Sequence, residues 1–451
     1  MNSLLKTRFE GGMRAARIIA ATTVKPDPIS SLTNIHAHVG AQVLGDSLKQ
    51  IFIPNTFAVD LIMEMMGRAH LHSSKVFASQ KAYVSEVYCP SEREIFPICL
   101  TGLAGVGKSE TITALRKVLP KPLDFTCDHF KGVVTAKSHW YASARENSGE
   151  KVLLNHLLYE DQSPRGRVTT AELRNAYRRV ANRDGISLGI LDELQHMSNG
   201  EGVARATEML LNMAKVAIPL LYVSNYSLMH KLFKGSSECK QRLLSQPRIM
   251  LPDDPGSSDW RNYIDECVRV SNGHISTGSV NLADEIYRRT FGLKRLVVEL
   301  LQISYVECRK AGRDSVLVSD LQRAFCSSEY TSNAKDVEEL ILQSQNPLRR
   351  PAARLDLYCP FDLPAEARSN MSDFARRERA ERVNAKIFDS SLSQAERSSL
   401  EYFQATVQEK TKPVRKTKRS PVKKLTEEEQ EKAFYAYAST LPCVTIPRRS
   451  G

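Results

Sequence analysis

The sequence lacks the features that mark membrane, secreted and zinc-binding proteins. No run approaches the roughly 18–20 consecutive apolar residues of a membrane-spanning helix, so we expect no membrane partner. The nine cysteines are scattered and form no C-x-x-C pair, a usage typical of buried thiols in a reducing cytoplasm. Apolar residues make up 42% of the chain, which is enough for ordinary globular cores. We therefore expect a cytoplasmic globular protein of two or three domains.

The chain also has little net charge outside two short stretches. Of a net charge of +12, residues 412–424 carry +7 and residues 1–25 carry +4, which leaves +1 for all other residues. A polyanion is attracted by clustered Lys and Arg side chains, although residues 412–424 can equally be a solubilising linker. A central domain of this charge would bind nucleic acid only through a local face.

What the sequence does contain is a glycine-rich loop between an apolar run and a helical pattern. Residues 95–100 predict a buried strand, and the eight residues after Thr101, GLAGVGKS, match the pattern G-x-x-x-x-G-K-S. In such a loop the backbone N–H groups converge on phosphates, Lys108 reaches the β- and γ-phosphates, and the Ser109 hydroxyl ligates Mg²⁺. The alternative is a chance glycine-rich turn. We predict ATP and Mg²⁺ as cofactors and assign nucleotide binding to Gly102, Gly105, Val106, Gly107, Lys108, Ser109, Glu110 and Asp192.

Two acidic residues end a second apolar run. Residues 186–191 predict a buried strand, and Asp192 and Glu193 follow it directly. Ligands of open α/β sheets bind at the carboxyl ends of the strands, so both carboxylates are expected beside the glycine-rich loop. Asp192 is then a partner of Mg²⁺, and Glu193 orients and deprotonates the water that attacks the γ-phosphate. The alternative is a pair of acids that cap the start of a helix.

Three further side chains are candidates for contact with the γ-phosphate. Asn225 ends the next predicted strand, where its amide can hydrogen-bond the phosphate or the water, or simply form a turn. Arg242 follows the next helix and is a candidate arginine finger for a neighbouring subunit, with Arg248 and Lys240 as rivals. Arg295 begins a later helix, where a basic residue opposes the helix dipole and is better explained by a ligand. The predicted catalytic residues are thus Glu193, Asn225, Arg242 and Arg295.

Four basic residues in the central part of the chain are candidates for DNA contact. Lys131 and Lys137 follow a short strand predicted at residues 123–127, and Arg174 and Arg178 share a helix predicted at residues 170–182. Each of these side chains can instead be an ordinary solvated charge.

A helix is predicted over residues 133–147, which include two large aromatic side chains. Core packing is the default interpretation for Trp140 and Tyr141. Base stacking is the lesser alternative, because the two residues lie near the first pair of candidate lysines.

The order of predicted elements gives a fold class and four segments. Strand and helix patterns alternate over residues 94–257, which predicts a three-layer α/β domain around a parallel sheet. Residues 258–345 contain helical patterns alone and are interpreted as a small helical lid. Residues 1–93 are interpreted as an N-terminal extension packed on this core. Residues 346–451, where Pro recurs and the apolar pattern weakens, are interpreted as a basic, loosely folded tail for a partner or DNA.

Together the motifs resemble those of the TnsC/TniB family of AAA+ transposition regulators. The matching stretches are GLAGVGKSE, GILDELQHMS, IPLLYVSN and FGLKRLVVELLQ, within residues 94–330. The D-E-x-Q-H string that Gln195 and His196 complete is the most telling, although these two residues can equally be a polar pair at a helix start. The sequence departs from the family where the loop continues with Glu110 after K-S rather than reading K-T-T, and where the strand at residues 218–225 ends in S-N rather than G-T.

The resemblance implies a P-loop AAA+ fold and a slow, regulatory, Mg²⁺-dependent ATPase. It also implies a homo-oligomeric ring or filament on double-stranded DNA that bridges a target selector of the TniQ/TnsD kind to transposase subunits. ATP hydrolysis would then control disassembly of the ring or filament. The protein would be located in the bacterial cytoplasm, in association with the nucleoid. An arginine finger acting in trans makes the nucleotide part of the subunit interface, so ATP would promote assembly. In the assembly each subunit repeats the same weak phosphate contacts, and a nearly neutral core can then bind DNA tightly.

Two other functions are open on the sequence. A helicase loader or initiator-type ATPase would more often carry a DNA-binding module after the lid, and residues 346–451 contain no convincing helix-turn-helix pattern. A nucleotide-gated signalling or defence scaffold that does not act on DNA would usually append repeats or an effector domain, and the sequence contains neither.

Overall fold

A computed structural model of the chain describes residues 3–89, 95–129, 131–145, 149–159, 168–198, 202–275, 281–346, 354–363, 365–393 and 396. The predictions for residues 397–451, including the basic run at 412–424, lie outside these residues. The chain divides into one compact unit, Met1–Arg379, and a second unit, Ala380–Gly451, whose described residues are mostly the last part of one helix. No helix in the described part combines the length and the apolar composition that a membrane span requires.

Five parallel strands form the central sheet, and two more form a separate antiparallel hairpin. In chain order the strands are β1 (Ile98–Gly102), β2 (Leu123–Thr126), β3 (Val133–Ala136), β4 (His139–Ser143), β5 (Leu188–Asp192), β6 (Leu220–Asn225) and β7 (Pro247–Met250). The sheet order is β4-β5-β6-β1-β7, and β2 pairs with β3. In the sheet Gly102 lies opposite Asn225, and Asp192 ends the strand on the other side of β6. Because the strands are parallel, these three residues reach the same edge of the sheet.

The helices fall into three groups along the chain. Those before the sheet are α1 (Ser3–Thr7), α2 (Ala15–Thr22), α3 (Ala37–Lys49), α4 (Thr56–Val76) and α5 (Gln80–Tyr88). Those between the strands are α6 (Lys108–Val118), α7 (Glu150–Tyr159), α8 (Thr170–Arg183), α9 (Gly202–Ala214), α10 (Tyr226–Leu232) and α11 (Ser237–Leu243). Those after the sheet are α12 (Ser258–Ser271), α13 (Leu282–Thr290), α14 (Lys294–Lys310), α15 (Val318–Phe325), α16 (Thr331–Gln345) and α17 (Ala365–Ser391). The predicted fold class, a parallel α/β domain followed by a helical lid, is confirmed.

Alternate residues of each central strand face two different hydrophobic cores. Leu100 and Val223 belong to a core shared with the extension, α6 and the lid helices. Cys99 and Tyr222 belong to a second core shared with α7 to α11. Since successive side chains of a strand point to opposite faces, both faces of the sheet are covered, as a three-layer α/β domain requires.

The N-terminal extension packs against both the lid and the sheet. On the lid side, the Nε2 amide of Gln302 on α14 donates to the backbone oxygen of Ala41 on α3 at 3.2 Å. On the sheet side, Nη2 of the Arg8 guanidinium donates to the backbone oxygen of Gly185 at 2.5 Å. Within the extension, Val24 and Phe52 form an isolated antiparallel bridge.

The predicted helix at residues 133–147 is wrong, because this stretch forms β3 and β4. Its β-branched and aromatic residues fit a pleated surface better than a helix. Trp140 on β4 is 5% exposed, and its ring lies 4.6 Å from that of Tyr177 on α8. This packing confirms the core interpretation of Trp140 and excludes base stacking by a side chain so deeply buried.

After the lid the chain returns to the α/β domain. Residues 354–363, which we call the return segment, contact α10 and α16, and Phe361 joins the core beneath α7 to α11. Further on, Ala375 of α17 is 2% exposed. Apolar side chains of the return segment, and Ala375 further on, are thus packed within the first compact unit, whereas the prediction for these residues was a loosely folded tail.

Candidate nucleotide-binding site

The glycine-rich loop connects β1 to α6 with two residues in the left-handed region. Gly105 and Gly107 have φ angles of 80° and 111°, which residues with a Cβ rarely adopt. Gly107 is the N-cap of α6, so the unpaired N–H groups of the helix start lie at the loop, where an anion is stabilised. The other predicted loop residues are placed as follows: Gly102 ends β1, Val106 is buried in the core, and Ser109 and Glu110 are exposed in the first turn of α6.

Lys108 points back into the loop itself. Its Nζ atom donates to the backbone oxygens of Gly102 at 2.9 Å and of Leu103 at 2.7 Å. The residue is 8% exposed, and this burial lowers the pKa of its ammonium group to about 8, against the opposing effect of the Asp192 carboxylate. A phosphate in the loop would offer the ammonium group a charged acceptor, and charge-assisted hydrogen bonds are stronger than those to neutral carbonyls.

Asp192 and Ser109 place two oxygen donors side by side. Asp192 is 4% exposed at the end of β5, hydrogen-bonds the Ser109 side chain, and accepts from the backbone N–H of Glu193 at 2.8 Å. Burial raises the pKa of the Asp192 carboxyl above its ordinary value, and these two hydrogen bonds oppose that effect. One carboxylate and one hydroxyl fit Mg²⁺, which usually keeps waters and takes phosphate oxygens as its other ligands. Among the described residues no group of three or more His, Cys, Asp and Glu side chains offers a protein-only metal cage.

Glu193 has a left-handed backbone conformation, with φ of 55°. Such values are unfavourable for a residue with a side chain and are concentrated at functional sites. The conformation turns the chain sharply out of β5, and the backbone oxygen of Glu193 then accepts from the N–H of His196 at 3.1 Å. The Glu193 side chain lines the cavity next to Asp192, where a group that deprotonates water would act.

Asn225 and Arg295 reach the same cavity from two other elements. Asn225 is the N-cap of α10, yet its side chain makes no capping hydrogen bond. The backbone N–H of Arg295 donates to the oxygen of Gly105 at 3.3 Å, which attaches the start of α14 to the glycine-rich loop. The neighbouring Lys294 forms an ion pair with Asp253 at 3.3 Å. Of the two adjacent cations, Arg295 is therefore the one placed for a phosphate.

Six of the eight residues predicted for nucleotide binding line one cavity of about 630 Å³, a size within the usual range for small-molecule sites; Gly102 and Val106 lie behind its wall. Its other wall comes from the N-terminal extension, which sequence reasoning did not assign to the site. That wall is largely apolar, and a nucleoside base would be partly shielded from water by it. A possible signal was the apolar run at residues 51–53. The extension residues in this wall are Leu48, Lys49, Ile51, Phe52, Ile53, Asn55 and Ala58.

Two charged residues of the cavity had no signal in the sequence. Arg145 lies two residues after the end of β4, and the backbone N–H of the preceding Ala144 donates to the backbone oxygen of Asp192 at 2.9 Å. Because a helix was predicted there, the end of a strand beside Asp192 was not expected. Glu299 lies one turn after Arg295 on α14 and accepts from Nδ2 of Asn333 at 2.7 Å.

The two candidate arginine fingers differ in their attachment to the rest of the chain. Arg248 on β7 donates from Nε and Nη2 to both carboxylate oxygens of Glu64 on α4, at 2.7 and 2.6 Å. Arg242 on α11 pairs with Glu238 one turn earlier, at 3.1 Å, and that glutamate is 71% exposed. Neither arginine lines the cavity of its own chain. Arg248 joins the extension to the sheet, whereas the ion pair of Arg242 with Glu238 lies within one helix.

The first pair of candidate DNA contacts lies at the β2–β3 hairpin. Lys131 is exposed between the two strands. Lys137 is half-buried after β3, and its backbone N–H donates to the oxygen of Asp184 at 2.7 Å. Lys131 is thus the better placed of the two for an external phosphate.

The second pair lies on α8. Arg174 donates to both carboxylate oxygens of Glu150, each at 2.7 Å, and to Glu208 at 3.1 Å. Its charge is therefore already compensated within the chain. Arg178 is half-buried one turn later on the same helix.

No family model matches the sequence, and no curated protein does. Several solved structures are remotely similar. Cdc6p from Pyrobaculum aerophilum is 13% identical with a TM-score of 0.39, over 67% of this chain and 80% of that one. The ORC1 protein of Aeropyrum pernix, in complex with DNA, is 14% identical with a TM-score of 0.36, over 66% and 81%. Drosophila ORC bound to DNA is 12% identical with a TM-score of 0.38, over 82% and 92%. Similarity this low supports no conclusion about what the chain binds.

Proposed function

We propose that this protein is an AAA+ ATPase that assembles on duplex DNA and regulates DNA transposition. The observation that carries the ATPase part is the convergence of four separate stretches on one cavity. These are the glycine-rich loop, the acidic pair after β5, Asn225 after β6 and Arg295 at the start of α14.

In this proposal each group has one task. The loop N–H groups and Lys108 hold the β- and γ-phosphates, and Ser109 and Asp192 hold Mg²⁺, which neutralises phosphate charge when it is bound. Glu193 orients and deprotonates the attacking water, while Asn225 donates from its amide to the γ-phosphate or that water. Arg295 from the lid stabilises charge on the phosphate.

Assembly on DNA follows from the same site. Arg242 is the proposed finger because Arg248 is already paired with both oxygens of Glu64. A finger from the neighbouring subunit makes ATP part of a homo-oligomeric interface. Repetition of Lys131 around such an assembly would multiply weak phosphate contacts into tight binding.

The transposition role rests on the motif D-E-x-Q-H, whose Gln195 and His196 line the same cavity as Glu193. Under this role the ATP-bound assembly bridges a target selector of the TniQ/TnsD kind to transposase subunits. Hydrolysis would then be slow and would control disassembly.

Sedimentation of the purified protein with ATP or ADP, each with and without duplex DNA, tests the proposal. Rings or filaments that form only with ATP and DNA together are expected, and Lys108→Ala should abolish them. Oligomers that form with ATP but are indifferent to DNA would instead indicate a nucleotide-gated scaffold. A protein whose size never responds to ATP would overturn the proposed assembly.

A further inference from the structure

We propose that the return segment positions Asn225 for hydrolysis by clamping α10, so that turnover requires the docked segment while nucleotide binding does not. The inference rests on the proposed ATPase function. It concerns residues 354–363, which were predicted to be part of a loosely folded tail.

The orientation of the Asn225 side chain depends on the helix that follows it. It is the last residue of β6 and the N-cap of α10, with φ of −89° and ψ of 167°. Asparagine at an N-cap normally accepts a hydrogen bond from the helix start, but this one does not. Asn225 instead lines the cavity, and a small displacement of α10 would redirect its side chain.

The first contact of the clamp is a hydrogen bond near the end of α10. Nε2 of His230 lies 2.9 Å from the backbone oxygen of Tyr358, and the two rings lie 5.9 Å apart. A carbonyl oxygen only accepts hydrogen bonds, so Nε2 of His230 carries the proton and donates.

Two further contacts lie on either side of this one along α10. The side chain of Tyr226, the first residue of the helix, is 2% exposed and hydrogen-bonds Cys359. At the other end, the ring of Phe233 meets the ring of Phe361 edge-on, with centroids 5.1 Å apart. The return segment therefore holds both ends of the helix that begins beside Asn225.

The other end of the return segment is attached to the lid. The Arg354 guanidinium pairs with Asp336 on α16 at 2.8 Å and with Asp356 at 3.1 Å. The segment thus spans from the helical lid, which supplies Arg295, to the helix that begins beside Asn225. A lid movement that displaced the segment would disturb α10 as well.

The test compares two phenylalanines in the chain after the lid. Phe361→Ala removes the ring that meets Phe233, the C-cap residue of α10. Phe374→Ala is the matched control, because its ring meets Tyr287 of the lid helix α13 edge-on at 4.8 Å. We expect Phe361→Ala to lower kcat for ATP hydrolysis by about 10- to 100-fold, the range typical of a small misplacement near the reacting atoms. The Kd for ATP should change by less than about threefold, because the phosphate-binding loop is untouched.

A second pair of variants keeps the inference testable if Phe361→Ala does not fold. His230→Ala removes the donor to Tyr358, whereas His230→Gln offers an amide N–H in a similar position. We expect kcat to fall in the alanine variant and to recover in the glutamine variant. Combined with Asn225→Ala, neither Phe361→Ala nor His230→Ala should lower kcat further, since both act through that residue.

The outcomes separate this inference from the ATPase proposal. A wild-type protein that hydrolyses no ATP would overturn both. A wild-type protein that does hydrolyse ATP, with Phe361→Ala no slower than Phe374→Ala or fully additive with Asn225→Ala, would overturn the positioning role alone.

Discussion

Lys108 makes the stability of the nucleotide-free protein depend on pH in a predictable direction. Its pKa is lowered from 10.5 to about 8 by burial. A lysine whose pKa is lower in the folded chain binds fewer protons there than in the unfolded chain between these two values. Stability should therefore rise as the pH increases from about 8 towards 10.5, where both forms become neutral. The difference between the two pKa values corresponds to roughly 3 kcal/mol.

Urea unfolding of the wild type and of Lys108→Met, from pH 7 to pH 10, measures this effect. The variant removes the titrating group while keeping an unbranched side chain, so the difference between the two curves isolates Lys108 from the other lysines and tyrosines. Lys108→Arg is the control that stays charged throughout. Saturating ATP should abolish the wild-type rise, because the phosphates keep the ammonium group protonated. If the free energy of unfolding has the same pH dependence in the wild type and in Lys108→Met, burial does not disfavour the charged form of this lysine.

Three other predictions concern the acid pair and the two arginines. Glu193→Gln should bind ATP normally but hydrolyse it at least about 100-fold more slowly in single-turnover assays. Hydrolysis by this variant at the wild-type rate would show that Glu193 is not the base. Arg248→Ala should cost about 1–2 kcal/mol in urea unfolding, because Glu64 loses its bidentate partner, and should leave the ATP Kd unchanged. Arg242→Ala should change stability by less than about 0.5 kcal/mol, yet lower ATP hydrolysis in the DNA-bound assembly by about 1,000-fold or more. If Arg248→Ala instead lowers ATP hydrolysis in the assembly and Arg242→Ala instead lowers stability, Arg248 is the arginine finger.

The part of the site that the sequence predicted is the part encoded locally. The glycine-rich loop is a run of consecutive residues whose backbone requirements are visible at Gly105 and Gly107. Asp192 and Asn225 each end a mainly apolar strand, and parallel strands bring such positions to one edge regardless of the intervening chain. The helical lid was predicted for a similar reason, since a 3.6-residue period is a strong local signal.

The features that sequence reasoning missed depend on contacts between distant residues. The wall formed by Ile51 and its neighbours belongs to the site only because the extension folds back beside the lid. The return segment has too few apolar residues to form a core of its own, and Phe361 becomes partly buried through contacts with residues far away in the chain. The helix around Trp140 was wrongly predicted because only the local pattern was considered. In the structure this stretch pairs with β5, and that pairing stabilises a strand.

The most direct test of the central claim is the release of phosphate from ATP by the purified protein. The reaction is followed with Mg²⁺ and with EDTA, in the wild type and in Lys108→Ala, alongside binding of a fluorescent ATP analogue. We predict slow release by the wild type that requires Mg²⁺ and is lost in Lys108→Ala together with analogue binding. Equal release by the variant, or a wild-type protein that binds no ATP, would contradict the assignment of this cavity as a nucleotide site.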